Sequence, residues 1–230
     1  MRLRNSAFVV LAAAAVVGVM STPAQATHSW GGYHWARSGE AHLTILSSVT
    51  SDWATNVAVA NSDWNKSAYL ENTLVADDTS RTTRRRCPMP AGKIRVCNYT
   101  YGQTGWSGLA SINLVSGTKH ISQATTKLND TYLASGGAAI RQGVTCQEIG
   151  HDFGLAHQDE NFDNPNLGTC MDYTRDWSTN QHPNQHDYDE LATIYSHNDS
   201  GVQQSAAPQS DAANTLVKTG DTITVITWAQ

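Results

Sequence analysis

Basic charge is scarce in this chain of 230 residues, where 15 Lys and Arg stand against 20 Asp and Glu. Two of the basic residues, Arg2 and Arg4, fall in the first four positions, and the first 26 residues hold no acid. The remainder therefore sets thirteen basic side chains against all twenty acids. Phosphate backbones are held by clustered Lys and Arg, so this balance argues against nucleic acid as the main partner. It offers nothing to an anionic membrane surface either. The one basic cluster, Arg81 with Arg84 to Arg86, reads as a solvated loop or a processing-sensitive site. Beyond residue 26 no apolar run is long enough to cross a bilayer, so no membrane partner is expected there. No C-x-x-C spacing occurs among Cys87, Cys97, Cys146 and Cys170, which argues against a four-cysteine zinc site. Internal repeats are absent, and so is the EF-hand spacing.

What is present begins with a targeting pattern. Arg2 and Arg4 form a basic start, Ala7 to Met20 is an apolar run of 14, and Ala24-Gln25-Ala26 is a small-x-small cleavage site. Residues 1–26 are thus expected to be a signal peptide and the mature chain to be secreted and extracellular. An even cysteine count in an exported chain implies two disulfides, with three pairings possible. The length suits one domain with an appendage.

Strand and helix patterns alternate from there. His42 to Val49 reads as a strand. Residues 52–67 read as a helix, with Trp53, Val57, Ala60 and Trp64 at helical spacing. Short strands are expected at 74–76 and 94–98, with a loop over 79–92 between them. Two more are expected at 108–115 and 120–128. A helix follows at 185–197. Residues 199–213, rich in Ser, Gln and Ala, read as a linker, and 214–230 as a β-hairpin appendage around Thr219-Gly220-Asp221. The main domain is then 27–198.

The chemistry concentrates in residues 146–157, Cys-Gln-Glu-Ile-Gly-His-Asp-Phe-Gly-Leu-Ala-His. Gln147 and His151, four apart, share one helical face, with Glu148 beside them. Gly154 can end the helix in the left-handed conformation, so that the chain folds back and brings His157 towards His151. Two imidazoles, a carboxamide and a carboxylate then gather round one point. A catalytic zinc needs such a set: three ligands, an open position and a base that is not a ligand.

The stretch resembles the metzincin zinc-protease motif H-E-x-x-H-x-x-G-x-x-H. Position by position, Glu148 matches the general base, His151 and His157 two of the ligands, and Gly154 the turn glycine. The first ligand position is Gln147 instead of histidine, as in a group of secreted actinobacterial metzincin-like proteins that read Q-E-x-x-H. Cys170-Met171-Asp172-Tyr173 resembles the methionine turn that lies beneath the metal in that family, with Tyr173 near the ion. The match covers residues 146–173. It implies an α+β fold with a twisted mixed sheet, an active-site helix, a methionine turn and a C-terminal helix. The implied activity is that of a secreted, monomeric zinc endopeptidase acting on protein or peptide. In that reading Glu148 deprotonates a water activated by zinc, and Tyr173 helps to hold the oxyanion. Trp106 to Ala110 would be the edge strand along which an extended peptide lies. Of the three disulfide pairings, Cys87–Cys97 closes a short loop, and Cys146–Cys170 would tie the metal-site helix to the methionine turn.

Three alternatives stay open. The missing imidazole could come from His182 or His186 in place of the Gln147 amide oxygen. The oxygen-rich stretch 159–166 could bind Ca²⁺ or simply form turns. A secreted, non-catalytic binding protein on the same fold would also account for Gln147.

Overall fold

Trp53, Val57, Ala60 and Trp64 are all buried, and that stripe decides where the first long helix lies. In the computed structural model, residues 27–199 and 216–229 are described. The expected signal peptide, and the expected linker beyond residue 199, lie outside the described residues. In chain order the elements are β1 (His34–Trp35), β2 (Ala41–Ser48), α1 (Ala54–Trp64), β3 (Leu70–Ala76), α2 (Arg81–Arg86), β4 (Ile94–Tyr99), β5 (Trp106–Leu114), β6 (His120–Asn129), α3 (Asp130–Leu133), α4 (Ala138–His151), α5 (Gln185–Tyr195), β7 (Leu216–Thr219) and β8 (Thr222–Trp228). The fold is α+β, as expected.

One mixed sheet runs in the order β3-β2-β4-β6-β5-β8-β7, with β1 pairing β6 off this path. β2, β3, β4 and β6 are mutually parallel; β5 is antiparallel to β6, and β8 to β5. Ile45, Ile94, Val96, Ile112 and Leu128 carry the sheet's contribution to the core, together with α1, α4 and Phe153. The large tryptophans bring polar N–H groups inside, and each finds an acceptor: Trp53 Nε1 donates to Asp130 Oδ1 at 2.8 Å and Trp64 Nε1 to the Cys146 carbonyl at 3.1 Å. Truncating one such side chain costs about 3–5 kcal/mol. That is a large part of the roughly 5–15 kcal/mol that holds a domain folded. The 3-10 turn Ser51–Trp53 precedes α1, so the helical pattern expected over 52–67 is met in two pieces and stops at Trp64.

Four features differ from the sequence reading. The loop expected over 79–92 contains α2. Ser80 caps it by accepting from the Thr83 N–H, and Cys87, left-handed at φ 45°, ends it before its disulfide to Cys97. Its sequence R-T-T-R-R-R has no apolar face, so helical periodicity could not reveal it. β3 starts at Leu70, four residues earlier than expected, because Leu70 and Asn72 turn inward and Glu71 and Thr73 outward. β1 is only two residues long and was not anticipated. Finally, the hairpin β7–β8 packs on the domain by extending the main sheet: β8 pairs along β5 from Asn113↔Thr222 to Trp106↔Trp228. Trp106 to Ala110 is therefore not an edge. The alternating T-I-T-V-I-T-W buries Ile223 and Val225 in the common core.

Helix α4 packs very tightly. A β-carbon on Gly150 would fall 2.6 Å from both Met171 Sδ and the Trp64 ring. Gly→Ala inside a helix ordinarily gains about 1 kcal/mol. Here overpacking reverses the sign: Gly150→Ala is expected to destabilise the chain by about 1–3 kcal/mol, read as a lowered midpoint in denaturant unfolding. An unchanged or raised midpoint would show that Met171 does not press on the helix.

Candidate metal centre

The last turn of α4 sets the site. Cys146, Gln147, Glu148, Ile149, Gly150 and His151 are all fully buried. The helix ends at Asp152, and Gly154 turns the chain at φ 95°. Only glycine fits there, because a β-carbon would fall 1.9 Å from the Tyr33 carbonyl. The chain after the turn is stitched to the N-terminal segment: Trp30 N–H donates to the Gly154 carbonyl at 2.9 Å and Ala156 N–H to that of His28 at 2.5 Å. This return brings His157 back over the helix.

His151 and His157 meet with Nε2 atoms 3.0 Å apart and rings perpendicular. The His151 Nδ1–H points at the Leu155 carbonyl, 2.8 Å away, and the His157 Nδ1–H at Glu160 Oε1, 3.2 Å away. Both acceptors can only accept, so both protons are assigned to Nδ1 and both Nε2 atoms carry lone pairs. Trp30 stacks on His151 at 5.0 Å and fixes its ring. Two lone pairs facing across 3.0 Å repel. Burial pushes both imidazoles below their ordinary basicity, His151 strongly, and each is pushed further by neighbouring histidine charge, with His28 acting on both. A shared proton is thus disfavoured. A divalent cation between the two nitrogens removes the conflict, since each can lie about 2 Å from one ion. The two Nδ1–H partners are the outer hydrogen bonds that orient metal-bound imidazoles. On this donor chemistry the pair fits zinc.

Gln147 lies one turn before His151. Its Oε1 accepts from the Thr227 hydroxyl at 2.7 Å, leaving one lone pair, while its buried Nε2 has no partner. Glu148 sits so close over β5 that a β-carbon on Gly108 would fall 2.2 Å from its Oε1. Neither of its oxygens has a donor in good hydrogen-bond geometry, although the Thr227 hydroxyl and the Ala110 N–H lie near enough to act on it. Burial raises its carboxyl to about 8, and the nearby Thr227 hydroxyl and Ala110 N–H offset the rise only partly. The single Thr227 proton already goes to Gln147.

Met171 lies beneath α4 at Gly150, and its carbonyl accepts from Gln158 N–H at 2.6 Å. Cys146 and Cys170 are bonded, so the helix and the methionine turn are joined covalently. The Tyr173 ring lies 4.2 Å from that of His157, and its hydroxyl donates to the Ile226 carbonyl of β8 at 3.0 Å. Of the two other candidate imidazoles, His182 Nδ1 contacts Asp63 Oδ2 at 2.6 Å, and His186 stacks on His28. In the oxygen-rich stretch, Asp159 and Asn161 accept from backbone N–H groups two residues on, and Asp163 pairs with Arg175. Among the described residues no three His, Cys, Asp or Glu side chains of this stretch converge on one point.

Sequence reasoning missed His28, Trp30, Ile226 and Thr227. None has a spacing that ties it to the motif; only the N-terminal stitch and the β5–β8 pairing bring them in. Phe162, Tyr173, Trp177, Thr227 and Trp228 line a small recess beside the site.

No protein-family model matches this chain, and no curated protein matches it. Among solved structures it is similar to high choriolytic enzyme 1, a hatching-enzyme zinc-protease from Oryzias latipes (Medaka fish), at 10% identity over 72% of this chain and 96% of that one, with a TM-score of 0.39. It is also similar to two structures of myroilysin, each at 12% identity. These cover 74% of this chain and 98% of that one with a TM-score of 0.43, and 72% and 86% with a TM-score of 0.42.

Two expectations follow. If the Gln147 amide oxygen is the third ligand, Gln147→His tightens zinc binding and Gln147→Ala weakens it. The loss should at least match the roughly 10–100-fold that losing an outer partner costs. Zinc dissociation constants decide this, and unchanged values in both variants alongside loss in His186→Ala would move the ligand to His186. The second concerns metal-free protein. With its carboxyl at about 8 against 4.5 unfolded, Glu148 holds its proton more tightly when folded. Its favourable contribution is complete below 4.5 and is lost as pH rises towards 8. Glu148→Gln should therefore gain stability over the parent across that window, by about 1.4 kcal/mol per pH unit at most. A pH-independent difference in urea unfolding would contradict the assignment.

Proposed function

We propose that this chain is an exported zinc endopeptidase of the metzincin kind, working as a monomer on protein or peptide. The observation that carries the reading is the pair of lone-pair nitrogens on His151 and His157 facing each other, with the buried carboxyl of Glu148 on the same helix three residues before His151. His151, His157 and the Gln147 oxygen would hold the ion. Zinc, when bound, supplies an electrophile for the scissile carbonyl and acidifies water. Replacing an imidazole with an amide oxygen leaves the charge of the ligand set unchanged, so the penalty falls on affinity for the ion.

The chain's own residues supply the rest. Glu148, held in a water-poor pocket, takes a proton from water and returns it to the leaving amine. A cation nearby brings its carboxyl back down from the value that burial alone imposes. Tyr173 already donates its hydroxyl to a peptide carbonyl, that of Ile226, and can do the same for a substrate carbonyl. β5 supplies the backbone against which an extended peptide aligns. In the described state β8 occupies that position, antiparallel to β5, with Thr227 on Gln147. A substrate strand must therefore replace it.

That occupancy favours a second reading as well, a secreted binding protein whose site is closed and turns nothing over. Hydrolysis of a casein-type substrate, with and without chelator, separates the two. It should be measured in the parent and in Ile226→Pro, where proline disrupts the β5 pairing. The expected result is chelator-sensitive hydrolysis that rises in Ile226→Pro. Glu148→Gln should lower it by roughly 10²–10⁴-fold with zinc content retained. Zinc-loaded Ile226→Pro without hydrolysis would leave the binding protein as the answer.

A further inference from the structure

β1 and the residues after α5 meet at a second cluster of imidazoles that the reading above does not use. His34 and His120 are register partners across the β1–β6 pair. Opposite them stand His197 and Asp199. The Nε2 atoms of all three histidines point at one oxygen, Asp199 Oδ1: His197 at 3.0 Å, His34 at 3.3 Å and His120 at 3.3 Å. The His34 and His197 Nε2 atoms are themselves 3.1 Å apart.

The carboxylate is held in place to receive them. Its other oxygen, Oδ2, accepts from Arg37 N–H at 2.8 Å, and Asp199 N–H returns a bond to the Arg37 carbonyl at 2.9 Å. His34 Nδ1 faces the Gly32 carbonyl at 2.7 Å, which puts its proton there and leaves Nε2 bare. That lone pair then faces a carboxylate oxygen and a second imidazole nitrogen at once. His197 can donate one proton into the group and His120 another. While His34 is neutral, the contact between its Nε2 and Asp199 Oδ1 stays acceptor against acceptor in either case. The His34 side chain is 3% exposed and that of Asp199 8%, so water does little to relieve it, whereas His197, 36% exposed, leaves an approach from solvent.

We propose that His34 Nε2, His197 Nε2 and Asp199 Oδ1 bind a divalent transition ion of the zinc type, with His120 as the outer partner on the same carboxylate. The ligand atoms of these three residues lie within 4.8 Å of one another. Two imidazoles and a carboxylate suit zinc, and the solvent side leaves room for a fourth ligand from water. The Gly32 carbonyl on His34 Nδ1 supplies the orienting bond such ligands normally have. The ion would clamp β1 to the segment following α5, joining positions 165 apart in the chain. Its role is thus structural and separate from the His151–His157 pair, with which it shares no residue.

Zinc content per chain tests this, measured on the full-length protein after dialysis against trace zinc, for the parent, His197→Gln, Asp199→Asn and His151→Gln. His197 is the most exposed ligand, and asparagine at 199 keeps an acceptor for Arg37, so both variants are expected to fold, as circular dichroism will check. His197→Gln and Asp199→Asn should each lose one equivalent relative to the parent, and zinc should no longer raise their melting temperature through this site. His151→Gln should keep that equivalent, whatever it does to the other site. Equal zinc content in the parent, His197→Gln and Asp199→Asn would overturn the proposal.

Discussion

Helix α4 lies so close to its neighbours that side-chain volume, more than any single bond, governs what surrounds it. Met171 and Trp64 press on Gly150, and Glu148 presses on Gly108 of β5. This contact carries Gln147, Glu148 and His151 below the surface, where water cannot stabilise them. Every electrostatic feature of the site follows from that burial: the weakened basicity of the imidazoles, the raised carboxyl of Glu148 and the unpartnered amide nitrogen of Gln147. A polar group moved from water to such a place needs a partner. The protein supplies partners for the outward nitrogens of both histidines and leaves the inward atoms facing one another.

The local part of this arrangement was legible in the sequence. The spacing of Gln147, Glu148 and His151 is one helical turn, and Gly154 marks the reversal, so the meeting of His151 and His157 follows from helix geometry. The stripe Trp53, Val57, Ala60 and Trp64 likewise declares its buried face. The rest was not legible, because it depends on pairings between distant segments. Nothing in T-I-T-V-I-T-W says that it will lie along Trp106 to Leu114 instead of forming a separate hairpin. Thr227 and Ile226 reach the site only through that pairing. Trp30 and His28 reach it only because Gly154 lets Tyr33 approach. α2 escaped notice for a different reason: a helix held by a cap and a disulfide, with arginines facing solvent, carries no apolar period.

The segments before β2 and after β7 behave alike in this respect. Residues 28–35 and 222–228 both run against the region around α4, one stitching the turn after the helix and the other covering its far side along β5. The chemistry held in the middle of the described residues thus takes its walls from two segments far apart in the chain. Pairings between such distant segments slow a chain's folding, since their loops must close before the contacts reward it.

The bond between Cys146 and Cys170 has a topological consequence. It closes a ring spanning 24 positions that contains Gln147, Glu148, His151 and His157. A backbone cut anywhere inside that ring, for example in the exposed turns around Asp163, leaves the two fragments covalently joined. Helix, reversal and methionine turn stay in one molecule although the chain is no longer continuous. The loop that frames the site can thus be nicked without the site's parts being released from each other.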